Sequence, residues 1–176
     1  MNADALRREL LALLPRLRRY AYALTGSRHD ADDLLQSTVE RMLSKGVAES
    51  VELDKWTFRV CRNIWIDEIR TRKVRAAVPL EESGAAEHAF DGESAVMSTL
   101  ALMEVRDAMD ELPEEQRAAL SLVELEGLSY AQAAEVLETP IGTIMSRIAR
   151  ARAALASALQ QESPRIGRGQ TAGARS

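Results

Sequence analysis

Apolar residues at the start of the chain recur with the spacing of an α-helix. Leucine and alanine return every three or four positions, which places them on one helix face. The members of this stripe are Leu6, Leu10, Leu13, Leu17, Ala21 and Leu24. Because Gly26 is suited to the left-handed conformation that often follows a helix, we predict that the first helix ends there.

A second helix is predicted directly after the first, in "SRHDADDLLQSTVERMLSK". Ser27 is a candidate N-cap. Acidic residues favour the positive end of the helix dipole, and three follow Ser27: Asp30, Asp32 and Asp33. Gly46 is the predicted end of this helix.

A third helix is predicted in "KWTFRVCRNIWIDEIRTRK", with Asp54 as a candidate cap. Its apolar residues again share one side. They are Phe58, Cys61, Ile64, Trp65 and Ile69. Because Trp56 and Trp65 lie at helical spacing among these residues, we predict that both belong to the core and do not stack on bases. The three helices predict a first domain over residues 1–76.

Residues 77–93, "AVPLEESGAAEHAFDGE", break the helical pattern. They mix proline, glycine, serine and acidic residues without a period, which is typical of a flexible linker. A helix over about residues 94–111 is predicted next. A further helix then has Pro113 in its first turn, Glu114 and Glu115 near its positive end, and Gly127 at its close.

The stretch "LSYAQAAEVLETPIGTIMSRIARARAAL" has the pattern of a helix-turn-helix. Ser129 and Gln132 form a candidate capping box that opens a short helix. A turn at Glu138 and Thr139 follows, and Pro140 is predicted in the first turn of a longer helix. This motif completes a second predicted domain over residues 94–160. Residues 161–176 are predicted to be a disordered tail.

The longer helix has two different faces at about 100° per residue. One face is apolar and is predicted to pack on the preceding helices: Ile141, Ile144, Ile148 and Leu155. The other face is polar or basic: Thr143, Ser146, Arg147 and Arg150. Such a face suits the major groove of DNA, where arginine binds guanine. A solvated arginine face without a ligand is the alternative interpretation.

These patterns predict an all-α protein with two small helical domains joined by a flexible acidic linker. The chain has 176 residues, of which 46% are hydrophobic, enough for one core or two small ones. It has no apolar run of membrane length and no signal peptide, which favours a cytoplasmic protein without membrane insertion. Cys61 is the single cysteine and there are two histidines, so neither an internal disulfide nor a zinc-like cluster is expected. We predict a buried Cys61 and no metal, cofactor or catalytic residue.

Charge is segregated along the chain. Residues 1–79 hold 15 basic and 11 acidic side chains, residues 80–140 hold two and 15, and residues 141–176 hold six and one. This distribution predicts two surfaces for a polyanion, separated by an acidic spacer. Because DNA would repel the acidic linker, we expect the linker either to thread basic channels of a partner or to cover the basic faces before assembly. Simple solubility is the alternative.

Three blocks of the sequence resemble the extracytoplasmic-function sigma factors of bacterial RNA polymerase, in the sigma-70 superfamily. The resemblance covers residues 6–160 and is strongest in "DADDLLQSTVERML", "WTFRVCRNIWIDEIRTRK" and "LPEEQRAALSLVELEGLSYAQAAEVLETPIGTIMSRIARAR". It implies that the first block docks on the clamp helices of the polymerase β′ subunit. The matching positions are Asp32, Asp33, Leu35 and Gln36. The aspartates would also stabilise the start of their helix.

The second block implies recognition and melting of the minus-ten promoter element. Asn63 matches the family position that reads an unpaired base, and its amide offers both a donor and an acceptor. Basic residues of the same helix would neutralise phosphates: Arg59, Arg62, Arg70, Arg72 and Lys73. The loop "SKGVAESVEL" corresponds to the family's base-specificity loop and has no aromatic residue.

The third block implies that the longer helix reads the minus-thirty-five element as duplex. Thr143, Ser146, Arg147 and Arg150 are the candidates for DNA contact, while Arg152 would reach either a phosphate or an acidic neighbour. Met145 stands where many relatives have lysine or arginine, and it either contacts a thymine methyl group or packs. Apolar residues of this domain's first helices would meet the polymerase β flap.

The resemblance therefore implies an alternative sigma factor that binds core RNA polymerase, recognises the two promoter elements and promotes strand opening. It implies no catalysis by the chain itself. It also implies an anti-sigma factor as partner. A sigma-like mimic that titrates an anti-sigma factor, and a free-standing helix-turn-helix repressor, are the alternatives. The tail "SPRIGRGQTAGARS" is compatible with a dispensable extension, a phosphate contact or a protease site.

Overall fold

The described residues of the chain form seven α-helices and no strand. The computed structural model describes residues 3–45, 52–76 and 96–162. The N-terminal domain contains α1 (Ala3–Thr25), α2 (Arg28–Lys45) and α3 (Leu53–Ala76). The C-terminal domain contains α4 (Val96–Asp110), α5 (Glu114–Glu124), α6 (Tyr130–Leu137) and α7 (Ile141–Glu162). The predicted all-α class is confirmed.

The apolar stripe of α1 is buried as its spacing predicts. Five of its six members lie in the core, and Leu13 is half-buried against it: Leu6, Leu10, Leu17, Ala21 and Leu24 are the buried five. The helix ends at Thr25, and Gly26 follows with a φ of 67°. The predicted end at Gly26 is confirmed, because a positive φ is the conformation that glycine adopts without strain.

The start of α2 agrees with the sequence, whereas the starts of α3 and α5 differ. The backbone NH of Asp30 donates to Oγ of Ser27 at 3.3 Å, so the predicted cap of α2 is confirmed. Asp54 is not the cap of α3, because α3 already begins at Leu53 and the Asp54 carboxylate accepts from the NH of Lys55 at 2.8 Å inside the first turn. Pro113 precedes α5 as its N-cap, since its ψ of 142° is extended and not helical.

The inner face of α3 carries two large aromatic side chains of the N-terminal core. Phe58 is buried and meets Tyr20 edge to face, with ring centroids 5.3 Å apart. Trp65 is buried in the same cluster, which confirms it as a core residue. Trp56 is half-buried against a second, smaller cluster formed by Leu6, Leu10, Met42 and Leu53.

The two domains share one hydrophobic core, which the sequence does not predict. Helix α1 packs on α5, and α3 packs on α6. The main cluster of buried residues contains Leu17 and Trp65 of the N-terminal domain together with Leu112 and Ile144 of the C-terminal domain. Separating the domains would expose part of this apolar surface to water, so the packed arrangement is favoured by the hydrophobic effect.

Within the described part of the chain, no helix is long and apolar enough to cross a membrane. The same residues contain no cluster of side chains suited to a metal ion. Cys61 is fully buried, as predicted, and burial raises the pKa of its thiol to about 12. The thiol therefore stays neutral in the folded protein.

Several predictions concern residues outside the described ranges. These are the linker over residues 77–93, most of the loop "SKGVAESVEL" including Gly46, and the tail from residue 163. The predicted tail began at residue 161, but α7 continues to Glu162.

Candidate nucleic-acid interface

Helices α6 and α7 form the helix-turn-helix. Oγ of Ser129 accepts from the NH of Gln132 at 3.2 Å, and the Gln132 side chain accepts from the NH of Ser129 at 2.9 Å. This reciprocal pair confirms the predicted capping box. Glu138 adopts the left-handed conformation with a φ of 50°, which reverses the chain before α7. Pro140 precedes α7, and its carbonyl accepts from the NH of Ile144.

Helix α7 packs through a narrower apolar face than its sequence predicts. Ile144, Ile148 and Ala151 are buried, and Leu155 is half-buried against the same core. Ile141 is 48% exposed, so its assignment to the packed face is wrong. Ile141 lies in the first turn of α7, and the chain that precedes it is the tight turn of the motif. Met145, one turn later, is 53% exposed and does not pack in the core.

The polar candidates of α7 differ in their accessibility. Arg150 is exposed, whereas Thr143, Ser146 and Arg147 are half-buried. Ser146 donates to the carbonyl of Thr143 at 2.9 Å. Nη1 of Arg147 lies 3.1 Å from Oε2 of Glu115 and 3.3 Å from Oγ1 of Thr139.

Arg152 forms an ion pair inside its own domain. Its Nε donates to Oε1 of Glu124 on α5 at 3.0 Å. From the sequence, either a phosphate or an acidic neighbour was expected as the partner of Arg152. The acidic neighbour is present in the structure.

The second set of candidates lies along α3. Asn63 is exposed, and its side-chain oxygen accepts from Nη1 of Arg62 at 3.2 Å. Arg62 itself is mostly buried and forms an ion pair with Glu115 of α5. The amide of Asn63 therefore faces outward beside a guanidinium that the C-terminal domain already binds.

Two further cations of α3 contact the C-terminal domain. Nη2 of Arg59 donates to the carbonyl of Glu135 at 2.6 Å, and its Nη1 lies 3.3 Å from the carboxylate of Glu138. Nζ of Lys73 donates to Glu114 at 2.6 Å. This hydrogen bond holds the pKa of the Glu114 carboxyl below its usual range.

The other two candidate cations of α3, Arg70 and Arg72, pair within the N-terminal domain. Arg72 lies 3.4 Å from Asp30, and Arg70 lies 3.9 Å from Asp67 one turn earlier on the same helix. Both arginines are exposed. The α3 candidates are therefore split between a part that contacts the C-terminal domain and a part that faces solvent.

The candidates for polymerase contact lie on the first half of α2. Asp32, Asp33 and Gln36 are exposed, and Leu35 is half-buried. Asp32 pairs with Arg18 at 2.9 Å, and Asp33 lies 3.3 Å from His29. The four side chains form an accessible, acidic surface.

The sequence interpretation missed a buried carboxylate between the domains. The side chain of Glu126 is fully buried, and its two oxygens lie 3.1 Å from Nε of Arg16 and 2.9 Å from Nε of Arg19. Arg16 also lies over the ring of Phe58, 5.2 Å from its centroid. The segment "LVELEG" contains two glutamates, and nothing in it marks Glu126 as the one with partners more than 100 residues earlier.

Two protein families match the two halves of the chain. The family described as sigma-70, region 4 matches residues 102–155, and the family described as the Sigma2 domain of PhyR matches residues 10–60. These ranges contain the helix-turn-helix and much of the N-terminal domain.

Individual relatives extend the similarity over most of the chain. The ECF RNA polymerase sigma factor EcfG of Rhodopseudomonas palustris (strain TIE-1) is 35% identical over 158 residues, which cover 89% of this chain and 86% of that protein. A solved structure of the sigma factor RpoE in complex with the anti-sigma factor NepR, from Bartonella quintana, is similar with a TM-score of 0.73. That match has 31% identity and covers 90% of this chain and 99% of that one. The chain therefore belongs to the extracytoplasmic-function sigma factors of the sigma-70 superfamily and is an alternative sigma factor.

Proposed function

We propose that this chain directs promoter-specific initiation by reading two DNA elements with two helices. Helix α7 reads the minus-thirty-five element as duplex, and α3 captures an unpaired base of the minus-ten element. One observation carries the proposal. A capped helix-turn-helix with exposed Arg150 occurs in the same chain as an exposed Asn63 beside a row of cations on a separate helix.

The role of α3 follows from the chemistry of strand opening. An extruded base loses its stacking and pairing, and hydrogen bonds to its edge must offset that cost. The exposed amide of Asn63 supplies one donor group and one acceptor group. Arg59, Arg62, Arg70, Arg72 and Lys73 would bind the phosphates of the same strand.

The role of α7 follows from its outer surface. Arg150 is exposed and can donate two hydrogen bonds to guanine, while Thr143, Ser146 and Arg147 lie half-buried beside it. Met145 and Ile141 are exposed one turn apart on the same helix. We assign to Met145 an apolar contact with a thymine methyl group, because it does not pack in the core.

The proposed polymerase contacts lie away from both DNA surfaces in the sequence. Asp32, Asp33, Leu35 and Gln36 would dock on the β′ clamp helices. On α4, Leu102 is 70% exposed, and Met103 and Val105 are also exposed. These three side chains would meet the β flap, since an exposed apolar cluster is typical of a binding surface.

In this scheme the chain contributes recognition, and the polymerase makes the phosphodiester bonds. The protein would act in the cytoplasm, where polymerase and promoters are found. It needs no metal or cofactor of its own. An anti-sigma factor is a further proposed partner, because the similar RpoE is described in complex with one.

A sigma-like mimic is the second candidate function. The match of residues 10–60 to the Sigma2 domain of PhyR is the observation that favours it. A mimic needs docking surfaces but no residues that read bases. Asn63 and Arg150 are both present and exposed here, which favours a working sigma factor.

Transcription in vitro tests the proposal. Core polymerase with the full chain is supplied with fragmented genomic DNA of the source organism, and the 5′ ends of the transcripts are sequenced. We expect a small set of start sites that share two upstream elements. Arg150→Ala and Asn63→Ala should each reduce these transcripts by about fivefold to 150-fold, because a base contact contributes about 1–3 kcal/mol.

The two variants should fail at different steps. Asn63→Ala should keep binding of the duplex upstream element and lose open complexes, measured by permanganate reactivity of unpaired thymines. Arg150→Ala should lose duplex binding itself. Thr71→Ala is the matched control, because Thr71 is exposed and uncharged on α3 and its hydroxyl donates to a carbonyl of the same helix. The absence of promoter-specific transcripts with the unchanged chain would overturn the proposal in favour of the mimic.

A further inference from the structure

Two large apolar side chains of α7, Ile141 and Met145, are exposed one turn apart. Neither is among the residues that form or cover the two apolar clusters of the described chain. Single exposed apolar residues are common on protein surfaces and need no explanation. A pair of them on the helix proposed to enter the major groove is different, because both side chains would reach the DNA together. We call Ile141 and Met145 the apolar ridge of α7.

Helical geometry places the two side chains of the ridge next to each other. Residues four positions apart are separated by about 6 Å along a helix and by about 40° around it. One base pair rises about 3.4 Å along the duplex. The ridge therefore spans about one or two base-pair steps, and its two side chains would contact two different base pairs.

The ridge lies at one edge of the outer surface of α7, and Arg150 lies at the other. Arg150 is five positions after Met145, which corresponds to about 140° around the helix. The residues between these edges are small: Gly142, Ser146 and Ala149. No large side chain therefore keeps either edge away from the floor of the groove. A helix in this position presents an apolar edge and a cationic edge to the base pairs at the same time.

The charge of α7 favours DNA over an apolar protein groove as the occupant of this surface. Residues 141–161 contain no acidic side chain, whereas Arg147, Arg150 and Arg152 are basic. Such a helix attracts a polyanion. The major groove of DNA presents one apolar group that distinguishes the bases, the C5-methyl group of thymine. This methyl group is the chemical complement of the ridge.

We propose that Ile141 and Met145 read the C5-methyl groups of two pyrimidines in the minus-thirty-five element, about one or two base-pair steps apart. The inference rests on the proposed reading of duplex DNA by α7. It deepens that function, because it adds Ile141 to the recognition surface and names the group that is read. Apolar side chains form no hydrogen bond with the O4 or N4 atoms of pyrimidines. The ridge therefore accepts thymine and 5-methylcytosine alike and disfavours uracil and unmodified cytosine.

Binding of genomic DNA supplies the duplex for the test. Holoenzyme made from core polymerase and the full chain is mixed with genomic fragments of the source organism, and the bound fragments are sequenced. We expect an enriched upstream element that contains two thymines about one or two steps apart. Each thymine of this element is then replaced by uracil in a labelled duplex, a change that removes the methyl group alone.

The methyl groups should contribute equally in thymine and in methylated cytosine. At two positions we expect uracil to raise the Kd of the holoenzyme about fourfold, which corresponds to the burial of one methyl group. With cytosine at the same two positions, methylation at C5 should lower the Kd by about the same factor. Equal Kd values for thymine and uracil at every position of the element would overturn the proposal.

Substitutions in the ridge show which side chain reads each methyl group. Met145→Ala should lower the ratio of the uracil Kd to the thymine Kd to about one at one position, and Ile141→Ala at the other, because alanine is too short to reach the methyl group. Met145→Leu should keep the ratio, since it keeps a large apolar side chain. Leu125→Ala is the control, because Leu125 is exposed in the same domain but lies outside α7.

Two results with these variants contradict the proposal. An unchanged ratio in both alanine variants would mean that other residues read the methyl groups. Equal weakening on thymine and uracil duplexes would mean that the ridge contacts polymerase and not the bases. Misfolding does not confuse the outcome, because both side chains are exposed and alanine favours a helix. Thermal unfolding of each variant checks this.

Failure of this inference is distinguishable from failure of the proposed function. If α7 does not read duplex DNA, the bound fragments share no upstream element, and the unchanged chain gives no promoter-specific transcripts with core polymerase. Both proposals then fall. If the ridge inference alone is wrong, the element and the transcripts are present, but uracil is bound as tightly as thymine.

Discussion

Three candidate cations of α3 are neutralised in a different way from the arginines of α7. On α3, Arg62 and Lys73 pair with carboxylates of the other domain. On α7, Arg152 pairs with Glu124 of its own domain, and Arg150 is exposed. A contact inside one domain persists whatever the other domain does, whereas a contact across the interface depends on the arrangement of the two. The number of α3 cations that are free to bind DNA therefore depends on the arrangement of the domains, whereas the number on α7 is largely fixed.

The strength of the interface does not come from the exposed ion pairs. An exposed pair contributes about 0–1 kcal/mol, because water screens it and the side chains lose freedom. The shared apolar core and the buried Glu126 are stronger candidates. Removing one partner of a buried carboxylate and two arginines leaves an uncompensated charge. The resulting loss of unfolding free energy is therefore larger than the net contribution of the intact contact.

The largest expected effect comes from removing the cross-domain carboxylate. Glu126→Ala leaves Arg16 and Arg19 without their partner, and we expect a loss of about 3 kcal/mol, at the low end for a buried pair because both arginines reach solvent. The matched variant Glu124→Ala breaks the exposed pair with Arg152 and should cost less than about 1 kcal/mol. Thermal unfolding measures both. Equal losses of unfolding free energy would show that the cross-domain contact contributes no more than the exposed pair.

A smaller effect is expected at two glycines that share one backbone conformation. Gly26 has a φ of 67° and Gly127 a φ of 69°, so alanine should cost about 1 kcal/mol at either position. At Gly26 the new Cβ would also lie 2.5 Å from Oδ2 of Asp110 in the other domain. Asp110 would have to move away and would lose its contact with Arg117, which lies at 3.1 Å.

Comparing Gly26→Ala with Gly127→Ala separates the cost of the contact between the domains from the cost of backbone strain. At Gly127 nothing lies within 4 Å of the added atom, so only the backbone strain remains. We therefore expect a loss of about 2 kcal/mol for Gly26→Ala against about 1 kcal/mol for Gly127→Ala, with the difference coming from the displaced charge-assisted contact. Urea unfolding of both variants gives the two values. A larger loss for Gly127→Ala would contradict the packing of α1 against α4.

Local signals in the sequence were sufficient for the helices. Gly26, Ser27 and the Ser129 capping box act within three or four residues of themselves, and all three are confirmed. The errors are small shifts at helix starts. Asp54 lies two positions after the residue that precedes α3, and Pro113 lies one position before α5. Such shifts arise because several residues near a helix start can satisfy the same hydrogen bonds.

The interface could not be predicted in the same way. Glu126 and its partner Arg16 are 110 residues apart, and a single sequence contains no periodic signal that joins them. The exposure of Ile141 has a related cause. Helical spacing alone places it with Ile144, but which part of an apolar stripe is covered depends on the neighbouring helices. The candidate residues for DNA contact remain predictions. Those of α7 were indicated by the polar face of the helix, whereas those of α3 rest on the family resemblance.

The smallest expected effect is a difference in the salt dependence of promoter binding by the holoenzyme, between a variant of an α3 cation and a variant of an α7 cation. In an open complex Arg59 has left Glu138 and binds a phosphate, so Arg59→Gln should lower the slope of log Kd against log salt by about 0.7, the value for one single-strand phosphate. Arg152→Gln should leave that slope unchanged, because Glu124 lies in the same domain and keeps Arg152 neutralised. Promoter binding by the holoenzyme over a series of KCl concentrations measures both slopes. An equal decrease for the two variants would mean that Arg152 exchanges Glu124 for a phosphate, and the two helices would then differ only in which anion they release on binding DNA.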